Sequence, residues 1–490
     1  MRGWSFPIEL DTRSDTPLFM QIARAIAGDT ARGRLRPGDV LPGTRTLAGE
    51  LGVHRATIVA AYEELVAQGF ATARGGRATT IAATSPDVTP TRFAPARGGV
   101  PSRAGFDLAP APAARLLEQP IVPGALSLWG GVPDTRLIDL DLVGRALRRA
   151  TKLHGRSLLR YAPDPRGHAG LRAALAAMLT ASRGLAVGED NVLVTSGSQM
   201  ALDLIAHAIV RPGDVVAVEA LGYRPAWAAF RRAGARLEPI EVDREGLVTK
   251  SLAQLARRSR LRAVYVTPHH QFPTTVAMSP RRRLALLELA RTHRIAIIED
   301  DYDHEFHFEG RPILPLASAD RTGQVVYLGG LAKVVAPGLR IGFVVAPPPL
   351  LARLAEERAI TDRHGNQIVE AAVAELVEDG EIQRHVRRAR RVYHERRDAL
   401  VAALERRLGD VLAFEVPAGG LTLWARAEGI DVEAWRERGE RGGVLVQSGR
   451  AFTFDGSRQA CLRLGYGACH PRELELAVQR LARALASRSR

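Results

Sequence analysis

The chain has 490 residues, with 68 Lys and Arg against 53 Asp and Glu, a net charge of +15 and 46% hydrophobic residues, enough length for a layered core plus a smaller domain. The two cysteines, Cys461 and Cys469, are too few for a disulfide scaffold and point to a reducing cytoplasm. The opening MRGWSFPIEL lacks a signal-peptide core, no apolar run is long enough to cross a bilayer, and no internal repeat is visible, so a cytoplasmic protein without membrane contact is expected.

The spacing of apolar residues predicts three helices near the start: Pro17 to about Ala31, Thr44 to Leu51, and Arg55 to about Gln68. Proline suits the first turn of the first helix, and Gly52 closes the second where a positive φ is easy. The short turn between the second and third has helix-turn-helix spacing, and FATARGGRATTI after it predicts a hairpin around Gly75 and Gly76. Reading DNA requires a helix whose N-terminal residues reach base edges, with basic groups for guanine and phosphate. His54, Arg55 and Thr57 stand at that end of the third helix, Arg45 at the start of the second, and Arg74 and Arg77 beside the hairpin turn. The segment resembles the GntR family of winged helix-turn-helix domains. The resemblance implies DNA contacts by Arg45, Arg55, Thr57 and Gly76 on a double-stranded operator, although His54 stands where that family has serine or threonine and Gly43 where it has serine.

Residues 1–82 are therefore expected to form a DNA-binding domain, and the Pro/Ala/Gly-rich stretch 83–124 a semi-extended linker. Residues 125–490 form the remainder, with a small subdomain over roughly 350–490. In its middle, VLVTSG, VVAVEA, AVYVTP, IAIIED and VVYLGG are short β-branched runs without alternation, the pattern of strands covered on both faces. Helix-like segments such as SQMALDLIAHAIV and PRRRLALLELARTH lie between several of them, which predicts an α/β fold with a mostly parallel sheet. Ligands of such sheets bind beyond the carboxyl ends of the strands. Ser196, Gly197, Ser198, Tyr223, His269 to Gln271, Asp300, Tyr302 and Lys333 all fall there.

The only lysines are Lys152, Lys250 and Lys333, in a chain crowded with arginine. Lys333 lies in YLGGLAKVVAPGLRIGF, where apolar surroundings would depress its pKa and make it an imine-forming nucleophile. Pyridoxal 5'-phosphate needs such an amine, and a buried carboxylate at its pyridine nitrogen, which Asp300 can supply. Tyr302 could bond the phenolic oxygen and Tyr223 could lie over the ring. Ser196, Gly197, Ser198 and Gln199 open a helix whose free amides suit a phosphate, and Arg340 adds a bidentate clamp. Taken alone, each has a plainer reading: EDDYDHEF could be a solvated acidic loop or, with His304 and His307, a metal site, and SGSQ only a capped helix start. Their common position at the strand ends favours the cofactor, with no metal expected.

From about Gly124 onward the chain resembles a fold type I aminotransferase, and TPHHQFPTT, EDDYDHEF and the Lys333 segment resemble the MocR or GabR branch of bacterial regulators. The resemblance implies Lys333 as Schiff-base lysine, Asp300 at the pyridine nitrogen, Tyr302 at the phenolic oxygen, Tyr223 stacked and Arg340 on the phosphate. It also places Arg463, in ACLRLGYG, at an amino-acid carboxylate, where the plainer reading is a rim salt bridge, and Tyr161 near the cofactor of a partner subunit. Gly330 and Ala332 replace hydroxyl residues of the family pattern, and Thr275 replaces the glycine of a proline-threonine-glycine turn. The arginine-rich segment Arg384 to Arg397 is read as a solvated helix face. The expected function is a homodimeric transcriptional regulator that senses an amine, an amino acid or the cofactor. The alternative is an active transaminase carrying a regulatory DNA-binding domain.

Overall fold

The computed structural model of the protein describes residues 8–12, 14–73, 78–83, 103–108, 122–310 and 313–486. The chain divides into two compact units, Met1–Pro110 and Ala111–Arg490. Arg74, Gly75, Gly76, Arg77 and most of the expected linker lie outside the described residues.

In the first unit, helices α1 (Leu18–Ala31), α2 (Thr44–Leu51) and α3 (Arg55–Ala67) precede the antiparallel pair β1 (Ala71–Ala73) and β2 (Thr79–Ile81). Ile58, Ala61, Tyr62 and Leu65 recur at helical spacing and bury one face of α3 against Ile22, Ile26 and Leu47. Gly52 ends α2 at φ 64, a conformation that carries no Cβ penalty there. The Tyr62 hydroxyl donates to the Pro42 carbonyl at 2.7 Å, fixing the approach to α2.

The second unit is built on a seven-stranded sheet. Its strands in chain order are β3 (Val192–Thr195), β4 (Val215–Glu219), β5 (Arg236–Ile240), β6 (Leu261–Val266), β7 (Ala296–Asp300), β8 (Val325–Gly330) and β9 (Gly342–Val345), arranged in space as β3-β9-β8-β7-β6-β4-β5. The pairs β6/β7, β7/β8, β4/β6 and β4/β5 are parallel, and β9 is antiparallel to both β8 and β3. The five apolar runs seen in the sequence are β3, β4, β6, β7 and β8. Two strands were not expected. The edge strand β5 carries exposed Arg236 and an internal proline, Pro239, and β9 returns directly from the Lys333 segment without a crossover helix.

A four-stranded antiparallel sheet forms a separate core. Its strands are β10 (Leu412–Phe414), β11 (Thr422–Ala427), β12 (Gln447–Ser448) and β13 (Cys461–Gly465), in the order β10-β11-β13-β12. The helices α4 (Glu381–Leu408) and α5 (Pro471–Ala486) contribute Leu400, Leu404, Leu474 and Leu481 to that core. The arginine-rich face of α4 is not wholly solvated, which corrects the sequence reading. Arg396 and Arg397 are buried, Arg396 pairing with Asp134 at 2.8 Å and Arg397 with Glu309 at 2.6 Å. Among the described residues, no helix is long and apolar enough to cross a membrane.

After β6 the chain makes a tight turn held by Gln271, whose amide donates to the Leu221 carbonyl at 2.8 Å while its oxygen accepts from the Thr274 hydroxyl at 2.6 Å. Thr275 keeps the left-handed backbone that a glycine would adopt, at φ 66, despite its β-branch. Such a conformation costs on the order of 1 kcal/mol or more for a β-branched residue. Thr275→Gly should stabilise this unit by about 1 kcal/mol, net of the added freedom of the unfolded chain. Thermal unfolding of the full chain would show an unchanged or lower midpoint if the turn were relaxed as it stands.

Candidate functional site

The helix that follows β3, Ser198–Ile209, starts at Gly197, whose φ of 83 turns the chain into a helix start whose first amides have no intrahelical partner. Arg340 lies across this turn and donates to the Ser196 carbonyl. A Cβ on Gly197 would come within 2.9 Å of the guanidinium, so glycine is required for the arginine to cover the helix start. Gly330 is packed too: a Cβ there would meet the Ile341 carbonyl at 3.2 Å and the Ser198 hydroxyl at 3.5 Å. Gln199 turns its amide to the Pro225 carbonyl at 3.1 Å, and its own oxygen is buried without a partner.

The acidic segment at the end of β7 and just beyond it is buried, not solvated. Glu299, Asp300, Asp301 and Asp303 are each under 5% exposed, so each carboxylate needs a partner. Glu299 accepts from the amides of Leu316 and Ala317 at 2.7 and 2.9 Å. Asp301 accepts from the Tyr327 hydroxyl at 2.7 Å, and Asp303 meets His270 Nδ1 at 2.8 Å. Among the described residues Asp300 has only the Tyr265 hydroxyl, at 2.7 Å on Oδ2; its Oδ1, like that of Asp301, is buried without a partner. Burial, reinforced by Asp301 and Asp303, pushes the Asp300 carboxyl up to about 7 against the pull of Tyr265 and Lys333. Nearby Glu219, at the end of β4, is pushed up to about 8 by burial and accepts from the Thr267 hydroxyl at 2.7 Å. An unsatisfied carboxylate oxygen in a desolvated wall is suited to a protonated ring nitrogen.

Lys333 follows β8 and faces the same space. Burial, helped by the positive charge of Arg463, lowers its amine to about 8, while Asp303 and Asp300 oppose the shift. Phe272 stands edge-on to Tyr223, Tyr302 and Phe452, with ring centroids 5.4, 6.0 and 5.4 Å away. Burial raises the Tyr223 hydroxyl to about 12, with Asp300 adding to it and Arg340 opposing. Arg463 is 3% exposed and lies 4.5 Å from the Phe272 ring centroid. It is no rim salt bridge: its one side-chain partner among the described residues is Gln447, at 3.4 Å, and its Nε is buried without a partner. A Cβ on Gly131 would approach its guanidinium at 3.5 Å, so the glycines of the 130–131 loop leave room beside it.

Lys333, Asp300, Tyr302, Tyr223, Arg340, Arg463 and the residues 196–199 are therefore gathered around one space at the carboxyl ends of the strands. Tyr161 is not. It is 74% exposed, with Arg363 4.2 Å above its ring and His364 edge-on. Two residues of the site were missed in the sequence. Tyr265 is the one tyrosine in β6, and parallel pairing of Ile298 with Tyr265 puts Asp300 on the same face one step along. Phe272 carried no signal beyond its place in TPHHQFPTT.

In the first unit, His54 caps α3 by accepting from the Ala56 amide at 3.3 Å. Arg55, the next residue, reaches the Thr44 hydroxyl at 3.3 Å, tying the starts of α2 and α3 together. Arg45, His54 and Arg55 are exposed and Thr57 is half-buried, so the N-terminal end of α3 presents a basic edge. Gly76 lies outside the described residues.

Residues 18–81 match the family of bacterial regulatory proteins known as the gntR family, and residues 135–481 match aminotransferase class I and II. The chain is 33% identical over 477 residues to the probable rhizopine catabolism regulatory protein MocR of Rhizobium meliloti, spanning 96% of this chain and 94% of that relative. It is 34% identical over 469 residues to the HTH-type transcriptional regulator TauR of Rhodobacter capsulatus, spanning 92% and 93%. Among solved structures, the α-aminoadipate aminotransferase LysN of Thermus thermophilus, complexed with N-(5'-phosphopyridoxyl)-L-leucine, superposes with a TM-score of 0.69 at 31% identity, covering 74% of this chain and 92% of that one. The aminotransferase match implies dependence on pyridoxal 5'-phosphate, and the gntR match implies DNA binding. The chain belongs to the MocR type of transcriptional regulators, a GntR winged helix joined to a fold type I aminotransferase domain.

Proposed function

We propose that this regulator carries pyridoxal 5'-phosphate on Lys333 and reads an amine, an amino acid or the cofactor itself at that site, passing the signal to an operator bound by its winged helix. The observation that carries the reading is the buried, unpartnered Oδ1 of Asp300 beside a lysine whose amine is held near 8. When bound, the cofactor supplies an aldehyde that captures amines and a pyridine ring that draws electrons once its nitrogen is protonated. Asp300 would hold the proton on that nitrogen, Tyr302 would bond the phenolic oxygen, and Tyr223 would lie over the ring. Arg340, with Ser196, Gly197, Ser198 and Gln199 at the helix start, would hold the phosphate.

Arg463, charged, buried and free of carboxylates among the described residues, would take the carboxylate of an amino-acid effector. Tyr161, exposed on its own chain, would complete the site of a partner subunit in a homodimer. The DNA contacts would come from Arg45, His54, Arg55, Thr57 and Gly76. The proposed domains are residues 1–82 and 125–490, joined by the linker 83–124, and the protein would act in the cytoplasm, where its operator lies. A ligand moves such a switch only by binding one arrangement more tightly than the other.

A second reading, an active transaminase with a regulatory DNA-binding domain, is favoured by Arg463 lying close enough to Lys333 for its charge to lower the amine. Sustained keto-acid release from ordinary amino-acid pairs would establish it, and a single stoichiometric exchange at most is expected here. The neutral amine is the form that captures the aldehyde. A lysine lowered from 10.5 to about 8 should therefore give a cofactor uptake rate that rises with pH and levels off above about 8. Stopped-flow absorbance measures this, and a rate still climbing toward the ordinary lysine value would show the amine to be solvated. Arg55→Ala should weaken operator binding by about 1–3 kcal/mol, roughly 5- to 150-fold, and leave cofactor absorbance unchanged. Unaltered affinity in a gel-shift titration would place the reading edge elsewhere on the winged helix.

A further inference from the structure

Four histidines crowd together beside the cofactor space without belonging to it. His269 and His270 follow β6, and His304 and His307 lie in the segment after β7. The His269 ring centroid is 4.5 Å from that of His270, 4.6 Å from His304 and 6.2 Å from His307. Both ring nitrogens of His269, His304 and His307 are buried without a hydrogen-bond partner among the described residues. Each such orphan costs on the order of 1–3 kcal/mol. A cluster of them needs a compensating ligand, and an imidazole nitrogen cluster is the donor set of a transition-metal ion.

We propose that His269, His270 and His307 bind a divalent transition-metal ion of the zinc class. One ligand atom from each lies within 4.8 Å of the others, a spread that small rotations of the rings would close around an ion. His270 is oriented as metal-binding histidines commonly are, its Nδ1 meeting the Asp303 carboxylate at 2.8 Å and leaving Nε2 available. The three histidines line a cleft of about 750 Å³, also walled by Thr274, Phe414, Ala418 and Trp424, which gives the ion a way in and a position for water as fourth ligand.

A second trio, His269, Asp301 and His304, meets the same spacing but lies deeper. Its carboxylate is engaged through Oδ2, accepting from the Tyr327 hydroxyl at 2.7 Å and lying 3.0 Å from His304 Nδ1 and 3.9 Å from Arg183, while Oδ1 has no partner among the described residues. The cleft trio is the better donor set because its three imidazoles line the cleft through which an ion would enter, and Asp301 and His304 do not. Its ion would tie the turn after β6 to the segment after β7 where Gly419 covers them. His307 bridges to Gly419, and a Cβ there would meet the His270 ring at 2.9 Å. Asp303 also faces Lys333, so the ion would stand one carboxylate behind the amine.

The test uses tag-free, full-length protein, stripped with a chelator, dialysed against zinc and analysed for bound metal. About one zinc per chain is expected, with magnesium giving none. His269→Ala and His307→Ala should each lose it, and His304→Ala should keep it. Asp303→Asn, which removes the orienting carboxylate, should weaken zinc binding about 10- to 100-fold in a chelator competition. Cobalt(II) in the wild-type protein, giving the intense visible bands of a four-coordinate site, keeps the test decisive if a variant fails to fold. No retained zinc and no such cobalt bands would overturn the proposal. So would retention in His307→Ala together with loss in His304→Ala, which would move the ion to the deeper trio.

Discussion

One desolvated carboxyl group, Asp300, is the constraint on which the rest of the site depends. Removing a carboxylate from water costs several kcal/mol unless a cation or enough donors replace the water. The neighbours of Asp300 each have a partner: Glu299 two backbone amides, Asp301 the Tyr327 hydroxyl on Oδ2 with Arg183 close by, and Asp303 His270. Glu219 lies in the same desolvated wall and is pushed toward its neutral form. Asp300, like Asp301 and Glu219, keeps an oxygen without a hydrogen-bond partner among the described residues, but of these three it is Asp300 that acts on the depressed amine of Lys333. A protonated pyridine nitrogen is the group that would complete it. The parallel sheet makes this possible because it brings β6, β7 and β8 to the same edge with their carboxyl ends together.

Much of this was legible in the sequence, because the signals were local. The helices of the winged domain could be read from apolar spacing, Pro17 and Gly52, and five of the seven strands from unbroken β-branched runs. A strand-end position and a scarce lysine are likewise properties of a few consecutive residues. The two unexpected strands lacked such a signal. Gly342–Val345 is too short and too close to the preceding turn to stand out, and Arg236–Ile240 reads as polar because one face of this edge strand meets solvent.

Contacts between residues far apart in the chain were not legible. Tyr265 reaches Asp300 across 35 positions, and Arg396 reaches Asp134 across 262. Composition made EDDYDHEF and the arginine-rich helix look like solvated surface, since charged residues are seldom buried unless paired. The fold supplies the pairs. Arg463 shows the reverse case: it is buried among aromatic rings without a carboxylate partner among the described residues, so the salt bridge that its charge suggested is not the use the fold makes of it. Thr275 shows that a turn can keep its shape after losing its glycine when a side chain such as Gln271 fixes it from both sides.

The central claim is that the amine of Lys333 holds the coenzyme. The full-length protein, incubated with pyridoxal 5'-phosphate and reduced with borohydride, should carry a phosphopyridoxyl group on the peptide containing Lys333, with Lys152 and Lys250 unmodified, as read by mass spectrometry after proteolysis. An unmodified Lys333 peptide, with the group absent or found on the other two lysines, would contradict the account.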